Sequence, residues 1–196
     1  GPEVLSVVVA RRHLERAQIC LLLVDAVEGI TRQDGHVAGY AWDAGRGLVL
    51  VVNKWDLVTD REKAREEISD QIDQQLKFLR QTPQVFLSAL TGKGVHRLFP
   101  TMRRVHRAHG AKISTSDLNR VVKDAFSRNP PPSLGKREPK IYYCTQVHSR
   151  PPHFVLFTNL DKKPHFSWTR YMENILREAF SLEGVPFRVM IRGRKS

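Results

Sequence analysis

The chain has 196 residues, of which 41% are hydrophobic and 27% are charged, a composition typical of a soluble globular protein with one large or two small domains. No apolar run approaches the roughly eighteen residues of a membrane-spanning helix. The start, Gly1-Pro2-Glu3, has neither an initiator Met nor the order of a signal peptide. We therefore expect part of a longer protein without a membrane partner, although Gly1-Pro2 is equally compatible with a protease scar.

The net charge of +12 is distributed unevenly along the chain. Residues 1–110 hold 16 basic and 13 acidic residues, whereas residues 111–196 hold 16 and 7. Such an excess of positive charge favours phosphate backbones, because binding releases their counterions. The second half is therefore expected to face a polyanion, with plain solubility as the alternative reason for its charge.

The two cysteines, Cys20 and Cys144, both fall inside predicted strands and are far apart in the sequence. This placement favours buried, reduced thiols over a disulfide framework. We therefore expect a cytoplasmic compartment.

The first 110 residues alternate between continuous apolar runs and amphipathic segments. Such alternation predicts a parallel sheet with helices on both faces and ligands at the carboxyl ends of the strands. Thr31 is a suitable cap for one helix, and Thr59 or Asp60 for another. The predicted elements are the end of a helix over Leu5–Ala17, strand Ile19–Val24, helix Thr31–Ala44, strand Leu48–Val52, helix Arg61–Leu79, strand Val85–Leu87 and a basic helix over Val95–His109.

Two polar segments follow predicted strands on the same rim of this sheet: Asn53-Lys54-Trp55-Asp56, and Ser88-Ala89. A guanine edge offers two adjacent donors, the ring N1–H and the exocyclic amine, and one carboxylate such as that of Asp56 can accept both. Adenine lacks the N1–H and would leave the carboxylate unpaired, at a cost of about 1–3 kcal/mol. These segments predict a guanine-reading site. The alternative is a polar strand end that only caps the next helix.

After Gly110 the pattern changes to that of a small α+β domain in the order α-β-β-α-β. With three strands, two helices can cover one sheet face and leave the other open. The predicted elements are helix Thr115–Arg128, a stiff connector at Pro130-Pro131-Pro132, strands Lys140–Val147 and His153–Phe157, a helix from Trp168 to Leu182 ended by Gly184, and strand Phe187–Ile191.

Both halves resemble one protein family. The first half is similar to the later part of a translation-factor-type GTPase domain in the runs Asp25–Asp34, Val51–Leu57 and Ser88–Val95. The second half resembles the C-terminal domain of the Der (EngA) family of bacterial ribosome-assembly GTPases. Its matching segments are Pro130–Pro132, Lys140–Tyr143, Thr145-Gln146, Pro151-Pro152, Phe154–Phe157, Tyr171–Asn174, Leu176–Phe180 and Gly184–Pro186.

The resemblance implies a truncated P-loop-type GTPase domain over residues 1–110, followed by a K-homology-like domain over 111–196. It also implies a GTP/GDP ligand bound by cofactor-binding residues of these loops. Asp56 would hold the base donors, and Asn53 would lie near the base carbonyl and brace the loops. Lys54 would cover the purine face, Ser88 would steady its loop, and the backbone N–H groups of Ala89 and Leu90 would donate to the base carbonyl. We interpret Trp55 as a packing residue.

The departures from the family pattern restrict what this chain can do. It contains no Gly-x-x-x-x-Gly-Lys-Ser/Thr motif and no Asp-x-x-Gly switch motif, so phosphate binding and Mg²⁺ ligands belong outside this chain. Asp25 to Gly29 has the wrong spacing for that switch and is expected to be a strand end with a turn. We expect no catalytic residue and no GTP hydrolysis by this chain alone.

The second domain lacks the Gly-x-x-Gly loop with which K-homology domains clamp single-stranded RNA. Its basic clusters could still contact structured rRNA of the large ribosomal subunit, while the open sheet face packs on GTPase domains of the same, monomeric protein. The Era family of GTPases and a nucleotide-independent RNA-binding module are the alternatives. The clusters are Lys136-Arg137, Lys162-Lys163 and Arg188–Lys195.

Histidines and cysteines provide no convincing metal site in this sequence. Cys144, His148, His153 and His165 lack the paired spacing of metal ligands, so no metal is expected there. His106 and His109 lie three residues apart on the basic helix, and we expect both to be solvated.

Overall fold

The computed structural model describes residues 13–132, 138–160 and 163–193. They divide into two compact units. Unit 1 comprises the residues up to His109 together with Glu183–Pro186, and unit 2 comprises Gly110–Leu182 together with the residues from Phe187 onwards. None of the helices within the described ranges is long and apolar enough to span a lipid bilayer.

Unit 1 is built on a three-stranded sheet in the order β1-β2-β3, and both strand pairs are parallel. The register places Asp25, the last residue of β1, opposite Asn53, the last residue of β2. The polar ends of β1 and β2 therefore lie at one rim of the sheet. The elements are β1 Ile19–Asp25, α1 Arg32–Asp43, β2 Gly47–Asn53, α2 Arg61–Gln75, β3 Gln84–Phe86 and α3 Leu98–His109, with 3-10 turns at Lys77–Leu79 and Val95–Arg97.

Helices pack on both faces of this sheet. One face, with Leu22, Leu50 and Val52, forms a core with α1 and α2. On the other face α3 packs so closely that a Cβ added to Gly47 would lie 2.8 Å from the side chain of Val105. β1 lies at one edge of the sheet that the structure describes, and Leu23 within it is 58% exposed, although the apolar run predicts a buried strand.

Side-chain caps account for the starts of the first two helices. Thr31 begins α1 with a capping box, in which its hydroxyl accepts from the Asp34 N–H and the Asp34 carboxylate accepts from the Thr31 N–H at 2.9 Å. Asp60, not Thr59, caps α2 by accepting from the Lys63 N–H at 3.1 Å. The predicted single helix to Leu79 is wrong at its end, because the chain leaves α-helical geometry at Leu76 and continues as a 3-10 turn.

The basic helix ends at His109 as predicted, but it differs from its prediction at its start and in the surroundings of His109. Residues 95–97 form a 3-10 turn, and α-helix begins only at Leu98. His109 is not solvated: only 1% of it is exposed, and its Nε2 lies 2.7 Å from the carbonyl oxygen of Gly45. The last turn of α3 packs over the end of the α1–β2 connection, which a helical pattern alone does not reveal.

Unit 2 has a mixed sheet in the order β4-β5-β6, with β4 antiparallel and β6 parallel to β5. Two helices cover one face through buried residues such as Leu118 and Met172, which confirms the predicted α-β-β-α-β order. The other face carries Tyr143 stacked on Phe157, with ring centroids 4.4 Å apart. The elements are α4 Thr115–Arg128, β4 Ile141–Ser149, β5 Pro152–Thr158, α5 Phe166–Ala179 and β6 Arg188–Gly193.

Helix α5 ends earlier than its pattern predicts, and Gly184 does not end it. Ser181 adopts a left-handed φ of 51°, its N–H donates to the carbonyl of Glu178, and the Leu182 N–H donates to that of Arg177. These two hydrogen bonds form a Schellman motif, in which Ser181 occupies the position usually held by glycine. Gly184 instead bonds within unit 1, where its carbonyl accepts from the Leu48 N–H at 2.7 Å.

Both cysteines are free thiols. Burial raises the pKa of Cys144 to about 12, so this thiol is inert at neutral pH. Cys20 is half-buried, and burial raises its pKa as well. Of the predicted basic clusters, Lys136, Arg137, Lys162, Arg194 and Lys195 lie outside the described residues.

Candidate guanine site

Backbone hydrogen bonds connect the loops after β2 and β3. The Leu87 N–H donates to the carbonyl of Val52 at 3.0 Å, and the Trp55 N–H donates to the carbonyl of Leu87 at 3.1 Å. A side chain adds a third connection, because Asn53 Oδ1 accepts from the Ala89 N–H at 2.9 Å. The two predicted polar segments therefore form one connected rim.

Ser88 is the buried centre of the second loop, with 1% of it exposed. Its hydroxyl accepts from the Thr91 N–H at 3.1 Å, and its carbonyl accepts from the Gly92 N–H at 2.9 Å. Gly92 and Gly94 have φ angles of 75° and 83°, which favour glycine. This loop therefore has the geometry expected if Ser88 steadies Ala89 and Leu90, both of which are exposed.

Lys54 is held by an ion pair that sequence reasoning missed. Its Nζ lies 2.5 Å from Oδ2 of Asp25, at the end of the neighbouring strand. The hydrogen bond from Lys54 lowers the pKa of Asp25, and the same hydrogen bond raises the pKa of Lys54. Lys54 also has a φ of 61°, uncommon for a residue with a side chain. The strand pairing, Asp25 opposite Asn53, is the signal that could have revealed the contact.

The segment Asp25 to Gly29 is a strand end with a turn, as predicted. The Gly29 N–H donates to the Asp25 carbonyl at 2.9 Å, and Asp25 Oδ1 accepts from the Val27 N–H at 2.8 Å. The Asp25 carboxylate thus fixes its own turn and Lys54 at the same time.

Trp55 and Asp56 point to different environments. Trp55 is 8% exposed and packs against Phe86 with ring centroids 4.5 Å apart, which confirms its interpretation as a packing residue. Asp56 is exposed, and within the described part of the chain its carboxylate has no hydrogen bond or ion pair. A carboxylate held on a hydrogen-bonded rim without a protein partner is available to accept two donors from a ligand.

The rim has the donors and acceptors that a guanine base requires, with one condition. Asp56 can accept from the base, and the side chain of Lys54 lies beside it in sequence with 55% exposure. The Ala89 N–H, however, already donates to Asn53. A bound base carbonyl would have to share or replace that hydrogen bond.

The described residues contain no metal site built from protein side chains alone. Nowhere in the described ranges do three His, Cys, Asp or Glu side chains come together in a way that could hold a metal. We therefore derive no step through a metal in this chain.

The fold and the rim define the class of protein to which this chain belongs. Residues 8–108 match the family model described as elongation factor Tu GTP binding domain, more than half of the chain. Residues 112–192 match the model described as KH-domain-like of EngA bacterial GTPase enzymes, C-terminal. Unit 1 is thus a part of a translation-factor-type GTP-binding domain.

Curated relatives identify the family more closely. GTPase Der of Moorella thermoacetica is 44% identical over 187 residues, which cover 95% of this chain and 43% of that relative. GTPase Der of Listeria monocytogenes is 44% identical over 190 residues, or 97% of this chain and 44% of that relative. The chain belongs to the Der (EngA) family of GTPases, and it spans about two fifths of the length of these relatives.

Among solved structures, Era of Aquifex aeolicus bound to GDP and aluminium fluoride has a TM-score of 0.44 and 16% identity, and covers 95% of this chain and 69% of that one. This similarity is too low to bear on function.

Proposed function

We propose that unit 1 recognises the guanine base of GTP or GDP through Asn53, Lys54, Asp56, Ser88, Ala89 and Leu90. The observation that carries the proposal is the exposed carboxylate of Asp56, which has no hydrogen bond or ion pair with a described residue. It lies on a rim connected by the Asn53–Ala89 hydrogen bond. Guanine presents two adjacent donors to such a carboxylate, and adenine does not.

Asp56→Asn tests this assignment by exchanging the base that fits. The amide keeps one acceptor and gains a donor, so it pairs with xanthine, whose exocyclic oxygen replaces the guanine amine. We expect guanosine to bind at least about tenfold more weakly to the variant and xanthosine more tightly, equivalent to about 1.4 kcal/mol for each tenfold change. Titrations of the 196-residue chain followed by NMR would measure both.

Asp60→Asn is the matched control. It makes the same chemical change four residues away, and asparagine caps a helix as well as aspartate does. The control should leave the preference for guanosine unchanged. The proposal would be contradicted if Asp56→Asn had the same affinities for guanosine and for xanthosine as the unchanged chain.

For the protein that carries this chain, we propose a cytoplasmic, monomeric GTP hydrolase that acts in assembly of the large ribosomal subunit. Membership of the Der family supports the reaction. Its Mg²⁺ and phosphate ligands would lie outside these 196 residues, which lack both motifs. The chain alone should therefore not hydrolyse GTP, and turnover that Asp56→Ala abolished would contradict this.

We further propose that unit 2 contacts rRNA and that its open sheet face packs on GTPase domains of the same protein. The supporting observation is the excess of basic residues after residue 110. Lys163, Arg188 and Arg192 are the exposed members of the predicted clusters within the described residues. Each could contact phosphate oxygens without reading a base sequence.

Recovery of ribosomal particles distinguishes the GTPase switch from its alternatives. The full-length protein would be used to pull down particles in the presence of GTP, GDP or no nucleotide. We expect recovery of large-subunit particles to depend on the nucleotide. Equal recovery under all three conditions would favour a nucleotide-independent RNA-binding module, and recovery of small-subunit particles would favour a function of the Era type.

A further inference from the structure

The positive charge of the chain is not confined to unit 2. Residues 74–109 contain seven Lys or Arg residues and not a single Asp or Glu, whereas residues 1–73 contain nine basic and thirteen acidic residues. Unit 1 therefore changes sign within itself. Its helix α2 has five acidic and three basic residues, and α3 has three arginines and no acidic residue.

Helix α3 presents this charge to solvent on one face. Val105 and Ala108 are buried towards the sheet, while Phe99, Arg103 and Arg107 are exposed. These three exposed residues are spaced four apart, so they lie on one side of the helix. Phe99 is 64% exposed. We refer to Phe99, Arg103 and Arg107 as the α3 basic face.

Intramolecular ion pairs leave this face uncompensated. Arg104, at its border, pairs with Glu183 at 3.4 Å. Within the described ranges, Arg103 and Arg107 have no carboxylate within 4.0 Å. On α2, by contrast, Lys63 pairs with Glu67, and Asp73 pairs with Arg80 after the helix. A surface of mixed charge, such as that of α2, is sufficient for solubility, so solubility does not explain the unpaired arginines of α3.

The chemistry of the face favours phosphate over a lipid surface. All cations on α3 other than histidine are arginines, whose planar fork binds phosphate oxygens with two hydrogen bonds. A helix that inserts into a lipid interface needs a broad apolar face directed outwards, and α3 exposes only one large apolar side chain, Phe99. An exposed aromatic ring among arginines is also a surface on which an unpaired base can stack.

We propose that the α3 basic face binds the sugar-phosphate backbone of structured RNA, with Arg103 and Arg107 contacting phosphates. This site lies in unit 1 and goes beyond the proposed function, in which only unit 2 contacts RNA. The α3 basic face would give the GTP-binding unit its own contact with RNA.

The test compares two double variants of the 196-residue chain. Arg103→Gln/Arg107→Gln removes two positive charges from the proposed face, and Arg61→Gln/Lys63→Gln removes two from α2. Binding of a fluorescent RNA hairpin would be measured by anisotropy over a series of salt concentrations. Each lost phosphate contact should reduce the slope of log affinity against log salt by about 1.

We expect the α3 variant to lose about 2 from that slope and at least about tenfold in affinity at low salt, and the α2 variant to lose much less. Equal effects of the two variants would overturn the proposal, as would an α3 variant that loses binding to phosphatidylserine vesicles but not to RNA. Guanosine binding by the α3 variant should be unchanged, which separates this result from failure of the guanine site. Circular dichroism of both variants verifies that they are folded.

Discussion

Two asparagines, one in each unit, show how a structural polar residue differs from one that we propose serves a ligand. In unit 2, Asn119 uses both ends of its side chain: Nδ2 donates to the carbonyl of Cys144 and Oδ1 accepts from its N–H, both at 2.8 Å. In unit 1, Asn53 accepts from the Ala89 N–H through Oδ1, and its Nδ2 has no partner among the described residues. Both polar ends of the Asn119 side chain are therefore hydrogen-bonded, whereas the two N–H donors of Asn53 Nδ2 are not.

The saturation of Asn119 has a clear structural purpose. β4 is at an edge of its sheet, and Asn119 bonds the outward backbone groups of Cys144 as a neighbouring strand would. A side chain whose hydrogen-bonding groups are all satisfied internally stabilises the fold, whereas one with spare groups beside an exposed carboxylate can serve the proposed ligand.

The largest effect is expected for Asn119→Ala. It would leave the N–H and carbonyl of Cys144, on a fully buried residue, without their partners, at a cost of about 2–3 kcal/mol of unfolding free energy. Urea denaturation followed by circular dichroism would measure the loss. Asn174→Ala, on the exposed side of α5, is the control and should cost less than about 0.5 kcal/mol. If Asn119→Ala cost no more unfolding free energy than Asn174→Ala, the two hydrogen bonds would contribute nothing to stability.

A smaller effect is expected in the loop that carries Ala89. Gly94 has a φ of 83°, and an added Cβ would lie 2.5 Å from the Phe86 carbonyl oxygen; Gly92 has a φ of 75° but open space around it. Gly92→Ala should cost about 1 kcal/mol for the left-handed backbone alone. Gly94→Ala should cost about twice as much, because the backbone must also shift. The same denaturation experiment ranks them, and a reversed order would contradict the described loop.

Asn53→Ala removes the single hydrogen bond to Ala89 and should cost about 1 kcal/mol of unfolding free energy, less than Asn119→Ala. Its effect on ligand binding should be relatively larger, because the loops after β2 and β3 lose their side-chain connection. NMR titration with guanosine would show weaker binding. If Asn53→Ala were as destabilised as Asn119→Ala and bound guanosine as the unchanged chain does, Asn53 would be a structural residue and not a ligand-binding one.

The smallest effect concerns the ion pair between Asp25 and Lys54. The folded pKa of Asp25 is lowered, so its contribution to stability is present above the unfolded pKa of about 4 and is lost as the pH falls through the folded pKa. Between pH 5 and pH 2 the free energy of unfolding should therefore fall less for Asp25→Asn than for the unchanged chain. Thermal unfolding of the variant and of the unchanged chain over that pH range would measure the difference. The same pH dependence of stability in both would show that the ion pair does not contribute to it.

The fold was predictable wherever short-range chemistry decides it. Apolar runs located β1 and β2, and the Thr31 cap located the start of α1. The prediction that His109 is solvated was wrong because it depends on a contact distant in sequence. His109 is buried because its turn contacts Gly45, 64 residues earlier. The end of α5 failed for a local reason, because Ser181 adopts a conformation that a sequence reader assigns to glycine.

The position of the candidate site was predictable, but its internal contacts were not. The Asn-Lys-x-Asp and Ser-Ala segments could be placed on one rim because the carboxyl ends of parallel strands meet at the same edge of a sheet, and guanine is proposed as the ligand because its donors match a carboxylate. The ion pair of Lys54 with Asp25 and the hydrogen bond from Ala89 to Asn53 join different strands. Such contacts require the register of the sheet, which the pattern of a single strand does not contain.

We propose that this chain binds the guanine base without binding the phosphates. NMR titration of the 196-residue chain with guanosine, GDP and adenosine would test this. We expect guanosine and GDP to perturb the amides around Asp56 and Ala89 with affinities within about threefold of each other, less than 1 kcal/mol apart, and adenosine not to perturb them. Binding of GDP more than about tenfold tighter than guanosine, or equal binding of adenosine, would contradict it.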